Sequence, residues 1–503
     1  MQNKILLVMI MAAFLNGCAG TLQRVASPLE TTPPPSQAPQ WIELEAVRSG
    51  NWFHLLNLGG QAFDWRLRAI DSAVESIDLQ TFIWDLDSAG HQVRDHLLAA
   101  AERGVFVRVL VDDSFILDAD EELLELDQHT GIELKVFNPY KRRSSHTLLR
   151  EVLNLGEFHR LDHRMHNKVM VVDNRVSIIG GRNIAEQYFG YHASDNFRDM
   201  ELVAGGPVVQ DLALAFDTYW NDTWSFPVAA VMEQRAKPGK AATPPATGHG
   251  ETNWHTEEAA TERLTAWKEL ARSAHTGRAE LLIDDPPTDN PSNHDEAPVQ
   301  LGQKLVEAID KASSDVWLIS AYLIPTAELE AAIARATKRG VRVRILTNSI
   351  NSNNHLIAHS AYSKHIHRLV KMGAEVHELR DDAKDRNFYI ESPVSDKSLC
   401  LHAKVLILDE TIVFVGSANL DPRSLQINTE MGLLVESRSL NHELRSLLEP
   451  DFSPRNAWRL QYNEHGHMTW VSDEHTLSHQ PAHSFMRRIE DWFLARLPVE
   501  GEM

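Results

Sequence analysis

The sequence predicts an α/β protein made of two homologous halves. The segment Ala101–Leu110 matches Thr337–Leu346 almost residue for residue. Each segment follows a stretch rich in Ala and Leu, and an apolar run comes before that, at Ile77–Trp84 and at Val316–Leu323. The order strand, helix, strand is typical of α/β units with largely parallel sheets. Since the order occurs twice, we expect two copies of one unit.

The repeat and the composition indicate where the halves begin and end. At 503 residues the chain is long enough for two or three domains. We expect a first half over 46–226, a linker and insertion over 227–295, and a second half over 296–503. Pro227–Glu251 is rich in Pro, Ala, Thr and Gly, which is typical of a flexible surface segment.

Each half also carries the pattern His-x-Lys-x4-Asp. The two copies comprise His166, Lys168 and Asp173, and His402, Lys404 and Asp409. Equivalent residues are 236 positions apart, and in each copy an apolar strand and a Gly-rich turn follow, ending at Asn183 or Asn419. A single copy could equally be a histidine that caps a strand, with a solvated lysine beside it, instead of part of an active site. Two copies in register indicate a paired active site.

These residue types suit the chemistry of a phosphodiester. Histidine can serve as nucleophile, general acid or general base near neutral pH, and an alternating His-x-Lys on a strand puts both side chains on one face. The lysines, the turn residues Asn183 and Asn419, and Ser417 can hold phosphoryl oxygens. One histidine can then attack phosphorus while the other protonates the leaving oxygen.

The motifs resemble those of the phospholipase D superfamily, from about residue 50 onwards. Arg164–Lys168, Gly180–Ile184, Phe414–Ser424 and Asn428–Gly432 resemble the bacterial cardiolipin synthases, most closely their type C branch. The resemblance implies two phospholipase D-like halves that share one central cleft. It also implies a site without metal and without cofactor, and neither a Cys/His cluster nor H-E-x-x-H occurs in the sequence.

The resemblance further implies a phosphatidyltransferase that works through a phosphohistidine. His166 would be the nucleophile, and His402 would protonate the leaving alcohol and then deprotonate the incoming one. Phosphatidylglycerol, and also phosphatidylethanolamine, are the expected lipid substrates. Two alternatives stay open: a hydrolytic phospholipase D that releases phosphatidic acid, and a non-catalytic envelope lipoprotein that binds headgroups. The non-catalytic lipoprotein is disfavoured because no motif His or Lys is missing.

Four acidic residues complete the predicted site. Asp199 in F-R-D-M-E and Glu430 in N-T-E-M-G occupy matching places after the two Gly-rich turns. We expect these two carboxylates to orient the histidines across the cleft. Asp173 and Asp409 belong to the motif, and we expect them to brace it rather than to react.

The distribution of charge bears on which partners the protein binds. The net charge of −21 disfavours a nucleic-acid partner, which would call for a basic stripe along the phosphates. Basic clusters at Lys141–Arg143 and Arg160–Arg164 either face lipid headgroups at the cleft mouth or are solvated loop charges. The sequence gives no oligomeric state.

The N-terminus predicts a lipid-anchored envelope protein. Residues 1–17 hold a short apolar run, Ile5–Leu15, and then L-N-G-C, which is typical of a lipoprotein signal. Cys18 would carry the lipid, and 18–45 would form a tether. Because Ala19 and not Asp follows, we expect the outer membrane, facing the periplasm. An uncleaved N-terminal segment, amphipathic or buried, is the alternative.

The last part of the chain is amphipathic. Phe485, Ile489, Trp492 and Phe493 recur at helical spacing, with three arginines opposite. Such a stripe can lie on a membrane surface, yet packing against the protein core is its commoner use. We therefore expect this segment to pack into the core.

Overall fold

The computed structural model describes residues 31–116, 120–142, 154–232, 259–287, 300–388 and 397–496. The predicted signal and Cys18 lie outside these ranges, as do residues 18–30 of the predicted tether and residues 233–258 and 288–295 of the predicted linker. No helix within them is both long and apolar enough to cross a bilayer.

The elements up to residue 276 form most of the first half. Its strands are β1 Trp52–Leu56, β2 Ser76–Thr81, β3 Phe106–Asp112, β4 Ile132–Phe137, β5 Val169–Val172, β6 Val176–Gly180, β7 Asp195–Arg198, β8 Glu201–Gly205, β9 Ser225–Pro227 and β10 His275–Thr276. Its helices are α1 Pro39–Val47, α2 Gly59–Ser72, α3 Ser88–Glu102, α4 Asp120–Asp127, α5 Phe158–Asp162, α6 Glu186–Phe189, α7 Val208–Trp220, α8 Val228–Met232 and α9 Ala260–Ser273.

The remaining elements form the second half. Its strands are β11 Arg278–Ile283, β12 Asp315–Ser320, β13 Arg342–Asn348, β14 Glu375–Leu379, β15 Ser398–Leu401, β16 Lys404–Leu408, β17 Ile412–Gly416, β18 Met431–Glu436, β19 Ala457–Tyr462, β20 Met468–Val471 and β21 Thr476–Leu477. Its helices are α10 Gln300–Lys311, α11 Ala327–Lys338, α12 Leu356–Ser363, α13 Ile366–Lys371, α14 Arg438–Leu448 and α15 Phe485–Leu494, with a π-helical turn at Arg423–Ile427.

The two halves repeat one α/β plan, as the sequence predicts. In each half two strand–helix–strand crossovers build a parallel core, β2-β3-β4 in the first and β12-β13-β14 in the second. Gly104 and Gly340 end the first crossover helices with φ of +93° and +85°. Only glycine adopts this left-handed conformation without strain, so both helices stop where the sequence predicts.

The expectation of largely parallel sheets is wrong. The first sheet has the order β10-β1-β8-β6-β5-β2-β3-β4-β9, and the second β11-β18-β17-β16-β12-β13-β14-β19-β20-β21. Outside the two parallel cores, neighbouring strands in these sheets are antiparallel. The motif strand β5 turns straight into β6 through Asp173 and Asn174, both at positive φ. Such a tight turn can join only antiparallel strands.

The reason for the error is that the motif strands are covered on both faces. Val169 and Val171 of β5 belong to a core between the two sheets, which also holds residues of β16 and β17. Met170 and Val172 face the outer core of the first half. A strand buried on both faces is a continuous apolar run, which resembles a parallel strand in sequence.

Helix α15 also departs from the expectation. Trp492 and Phe493 are 58% and 60% exposed, and Ile489 is 40% exposed, whereas Asp491 on the same helix is buried. The prediction that this segment packs its apolar stripe into the core is therefore wrong.

Candidate active site

The two motifs meet at one edge of the sheets, where the parallel strands end. Residue Val169 opens β5 opposite Gln80, near the end of β2, and Lys404 opens β16 opposite Ser320, the last residue of β12. His166, Lys168 and His402 thus precede the strands rather than lie within them. The carboxyl edge of parallel strands is the usual place for a binding site in an α/β fold.

The chain pairs across the two halves on both sides of the site. In the first motif, the backbone N–H of His166 donates to Thr429 O at 2.9 Å, and Thr429 N–H donates to Arg164 O at 2.9 Å. At the second motif, β15 runs parallel to β7, and His402 N–H donates to Arg198 O at 2.8 Å. Each motif histidine is therefore held by the backbone of the opposite half.

Each histidine also contacts a carboxylate of the opposite half. Nδ1 of His166 lies 2.9 Å from both Oε1 and Oε2 of Glu430. Nδ1 of His402 lies 2.6 Å from Oδ2 of Asp199. In the neutral ring, an Nδ1–H that donates to a carboxylate leaves Nε2 as the basic nitrogen. The hydrogen bonds that these rings make to side chains of the described residues engage Nδ1.

The two motif lysines lie beside the histidines and are buried. Nζ of Lys168 donates to the backbone oxygen of His166 at 2.6 Å, and Nζ of Lys404 donates to the backbone oxygen of His402. Burial lowers the pKa of Lys168 to about 7 and that of Lys404 to about 8, even though Glu430 and Asp199 oppose the shift. Two cations desolvated at one point favour an anionic ligand between them.

Burial and these lysines also keep the histidines neutral. Burial, with Lys404 next, lowers the pKa of His402 to about 3. Burial, with Lys168 and then Lys404, lowers the pKa of His166 well below its usual value. A neutral imidazole with its Nδ1–H on a carboxylate is the form that a nucleophile or a general base requires.

The two carboxylates differ in their electrostatics. Burial alone would raise the pKa of Asp199, but His402 and Lys404 bring it below the usual value. Burial raises the pKa of Glu430 to about 7, although Lys168 opposes the shift. The two His–carboxylate pairs thus have similar geometry, but the pKa of Asp199 is lowered and that of Glu430 is raised.

Ser417 opposes part of this difference, because its hydrogen bond lowers the pKa of Glu430. The sequence predicts that it holds a phosphoryl oxygen, but its fully buried hydroxyl donates to Oε2 of Glu430 and accepts from Met431 N–H at 3.0 Å. The hydroxyl is therefore committed to the carboxylate rather than free for a phosphate. The equivalent residue of the first half is Gly181, where an added Cβ would lie 2.3 Å from Oδ1 of Asp199. The shorter Asp needs glycine beside it, and the longer Glu is steered by serine.

The turn asparagines are placed differently from one another. Nδ2 of Asn183 donates to the hydroxyl of Tyr188 at 2.8 Å, and its Oδ1 accepts from Ile83 N–H at 3.1 Å. Tyr188 in turn packs edge-on against the His402 ring, at 5.0 Å between centroids. Asn419 keeps a buried Oδ1 without a hydrogen-bond partner among the described residues. Contact of either residue with a phosphate stays a prediction.

The motif aspartates lie at the far end of the motif strands and contact neither histidine. Asp173 accepts from the N–H groups of Val74, Glu75 and Ser76 at 2.8 Å, and from Trp41 Nε1. Asp409 accepts from the backbone of three consecutive residues at the start of β12 and just before it. Both carboxylates tie the motif hairpin to the start of the neighbouring parallel strand, and so they lie outside the reacting centre.

Sequence reasoning missed Asp284, which follows β11. Its Oδ2 accepts from the backbone N–H of Glu430 at 3.1 Å, and its Oδ1 accepts from Leu301 N–H at 2.9 Å. Burial raises the pKa of Asp284 to about 7. The residue lies in D-D-P-P, where a loop composition gives no sign that one carboxylate is buried beside the site.

The basic residues near the first motif are used within the protein. Arg164 is buried, stacks on the Tyr140 ring at 4.5 Å and donates to Asn138 O at 3.1 Å. Arg160 donates to Pro139 O at 2.9 Å. These two arginines brace the entry to the motif, and Arg143 lies outside the described residues.

Two mixed sheets that face each other and bring two His-x-Lys motifs to one edge define a phospholipase D-like protein. Residues 67–220 and 305–452 match the family model described as cardiolipin synthase, PLD-like domain. The two spans fall in the two halves and together cover more than half of the chain. The chain belongs to this family.

The relatives agree with this membership. Cardiolipin synthase C of Escherichia coli K12 is 33% identical over 452 residues, covering 87% of this chain and 93% of the relative. Cardiolipin synthase B of Shigella flexneri is 27% identical and covers 80% of each chain. Among solved structures, phosphatidylserine synthase of Haemophilus influenzae superposes with a TM-score of 0.56 at 13% identity, over 84% of this chain and 92% of that one. That last likeness concerns the fold.

Proposed function

We propose that the protein is a phosphatidyltransferase of the cardiolipin synthase type. The observation that carries the proposal is the pair of cross-half contacts, His166 with Glu430 and His402 with Asp199. They present two imidazoles beside two buried lysines, and a two-step displacement at phosphorus requires one imidazole as nucleophile and one that gives and takes the proton. Membership of the cardiolipin synthase family supports a phosphatidyl group as the unit transferred.

In the first step Nε2 of His166 attacks the phosphorus of a phosphatidyl donor. A P–N bond forms, the P–O bond to the headgroup alcohol breaks, and His402 gives its Nε2 proton to the leaving oxygen. Burial, and then the charges of Lys404 and Lys168, lower the pKa of His402. Bound phosphate offsets the two charges, so substrate binding favours the protonated form that acts as acid.

In the second step an acceptor alcohol attacks the phosphohistidine. His402 takes the proton of the hydroxyl, the new P–O bond forms and the P–N bond to His166 breaks. With phosphatidylglycerol as donor and acceptor, the products are cardiolipin and glycerol, and each histidine returns to its starting form. The Nδ1 carboxylates stabilise whichever ring carries positive charge.

Hydrolysis is the alternative outcome of the same first step, since water can replace the acceptor alcohol. Product analysis by mass spectrometry decides between the two, with phosphatidylglycerol alone and with added phosphatidylethanolamine, each with and without EDTA. The proposal expects cardiolipin in every arm. Phosphatidic acid as main product would make the protein a phospholipase D, and loss of activity in EDTA would exclude the metal-free mechanism.

We place the enzyme at the bacterial cell envelope, attached by lipid on Cys18 and facing the periplasm. The support is the L-N-G-C sequence after a short apolar run. In such a position the lipid substrates lie in the membrane to which the chain is attached.

A further inference from the structure

Helix α15 presents an apolar surface to solvent. Met486, Ile489 and Phe493 recur at the i, i+3, i+7 spacing of one helix face, and Trp492 adjoins them. All four are exposed by 40% or more of their surface. Ile357 on the neighbouring helix α12 is 43% exposed as well. Exposed aromatic and aliphatic side chains grouped in this way mark a surface that binds something apolar.

The helix is held to the protein by its polar side. Oδ1 of Asp491 accepts from Nδ1 of His359 and from Oγ of Ser360, both at 2.8 Å, and this aspartate is buried. Nε of Arg487 donates to Ile350 O at 3.2 Å. A carboxylate and a guanidinium thus fill the inner face, where a core-packed helix would place leucine or phenylalanine. The orientation of the helix is fixed by these polar contacts, and its apolar side is left outward.

The helix lies on the same edge of the fold as the active site. Its anchor Ile350 comes two residues after Asn348, the last residue of β13. Asn348 makes two hydrogen bonds with the backbone of Leu401, at 2.8 Å each, and Leu401 directly precedes His402. A short chain of contacts therefore connects α15 to the second motif.

The charges on and beside the helix suit an anionic lipid surface. The guanidinium of Arg496 lies over the Trp492 ring at 3.3 Å from its centroid, and Arg488 lies at the other end of the helix. The protein as a whole carries a net charge of −21, which repels anionic headgroups. Binding to such a surface therefore needs a local patch that combines apolar insertion with positive charge.

We propose that α15 is an interfacial helix that docks the active-site edge onto a phospholipid bilayer. Trp492, Phe493, Ile489 and Met486 enter the boundary between headgroups and acyl chains, while Arg496 stays at the headgroup phosphates. The proposal deepens the proposed function and rests on it for the identity of the substrate. It gives the cleft direct access to lipids that need not leave the membrane.

Vesicle flotation of the full chain tests the docking without any turnover. Every protein in the test carries Cys18→Ser, so that no attached lipid contributes, and the probes are phosphatidylcholine vesicles with or without phosphatidylserine. The test variant is Trp492→Gln with Phe493→Gln. The matched control is Leu214→Gln, which removes an apolar side chain that is 65% exposed on α7. Circular dichroism verifies that all variants are folded.

The proposal expects the double variant to bind the vesicles about tenfold more weakly or worse, because interfacial affinity scales with the apolar area inserted. The Leu214→Gln control should bind like the parent, and phosphatidylserine should strengthen parent binding. Equal vesicle binding by parent and double variant would overturn the proposal. The proposal would also be overturned if the parent is a dimer in solution while the double variant is a monomer with unchanged vesicle binding. The apolar face would then be a protein interface. A chain that docks but transfers no phosphatidyl group would contradict the proposed function alone.

Discussion

The carboxylate of Glu430 contacts Nδ1 of His166 through both oxygens, at 2.9 Å, although 264 positions separate the two residues in the chain. Asp199 reaches His402 in the opposite direction, from the first half to the second. Each half thus supplies a histidine to its own motif and a carboxylate to the other motif. Neither motif histidine is therefore paired with a carboxylate of its own half.

Replacing Glu430 with Gln should lower turnover by roughly 10²- to 10⁴-fold, because the imidazolium that forms on the way to the transition state loses its counter-charge. Asp199→Asn should have an effect of similar size. The measurement is kcat on phosphatidylglycerol, with Glu436→Gln at an exposed position of β18 as control. Activity within a few-fold of the parent in Glu430→Gln would mean that this contact plays no part in catalysis.

Replacing either motif histidine with Ala should lower the rate by about 10³-fold or more, since the two rings act on one phosphorus atom. Quenching the reaction of labelled donor in denaturant at alkaline pH, where the acid-labile P–N bond survives, should trap a phosphohistidine in His402→Ala and none in His166→Ala. The exposed His465→Ala serves as control. Trapping in His166→Ala instead would reverse the assignment of nucleophile and acid.

The alkaline side of the pH profile should report the motif lysines. Burial lowers the pKa of Lys168 to about 7 and that of Lys404 to about 8, so both lose their charge as the pH rises through this range. We expect kcat/KM, which reports the free enzyme, to fall there. Lys168→Arg should extend the plateau to higher pH because a guanidinium stays charged. Lys311→Arg, on an exposed helix face, should leave the profile in place, and an unmoved alkaline limb in Lys168→Arg would contradict the explanation.

Asp173→Ala should destabilise the fold by roughly 3 kcal/mol, because it leaves several backbone and indole N–H donors without an acceptor. Urea denaturation measures the loss. Glu410→Ala removes an exposed carboxylate beside the second motif turn and should cost less than about 1 kcal/mol. Equal midpoints for the two variants would show that the Asp173 contacts contribute little.

Cys18→Ser should abolish lipid attachment and shift the protein from the membrane to the soluble fraction, because L-N-G-C then lacks the thiol that accepts the lipid. Incorporation of labelled palmitate gives the direct readout. The only other cysteine, Cys400, is buried before the second motif, so Cys400→Ala should still take up the label. Membrane retention of an unprocessed Cys18→Ser chain would indicate a different N-terminal anchor.

The two halves follow from the sequence because the repeat is nearly exact in spacing, and the meeting of their motifs in one cleft follows from the resemblance to the phospholipase D superfamily. Gly104 and Gly340 mark helix ends at matching positions, so the crossover units were predictable residue by residue. The direction of the motif strands could not be predicted in the same way. The β5–β6 turn at Asp173 and Asn174 joins two strands that are apolar on both faces, which in sequence resemble parallel strands.

Side-chain partners within the site were harder to predict than its location. Ser417 occupies a turn that suits a phosphate contact, and only the fold shows that Glu430 takes its hydroxyl. For α15, the spacing of apolar residues is the same whether the stripe faces the core or solvent. The burial of Asp491 against His359 decides between them, and that contact spans 132 positions.

The N-terminal segment meets the fold at the end of the motif strand opposite to the histidines. Ser36 N–H donates to Asp173 O at 3.0 Å, and Trp41 bonds the same aspartate. Seven positions of extended chain from His166 to Asp173 correspond to roughly 23 Å. From Cys18 to the first described residue, Thr31, thirteen positions can span at most about 45 Å. With a lipid on Cys18, the chain would be attached from the side opposite to the histidines, and a reach of at most about 45 Å exceeds the roughly 23 Å that separates that side from them.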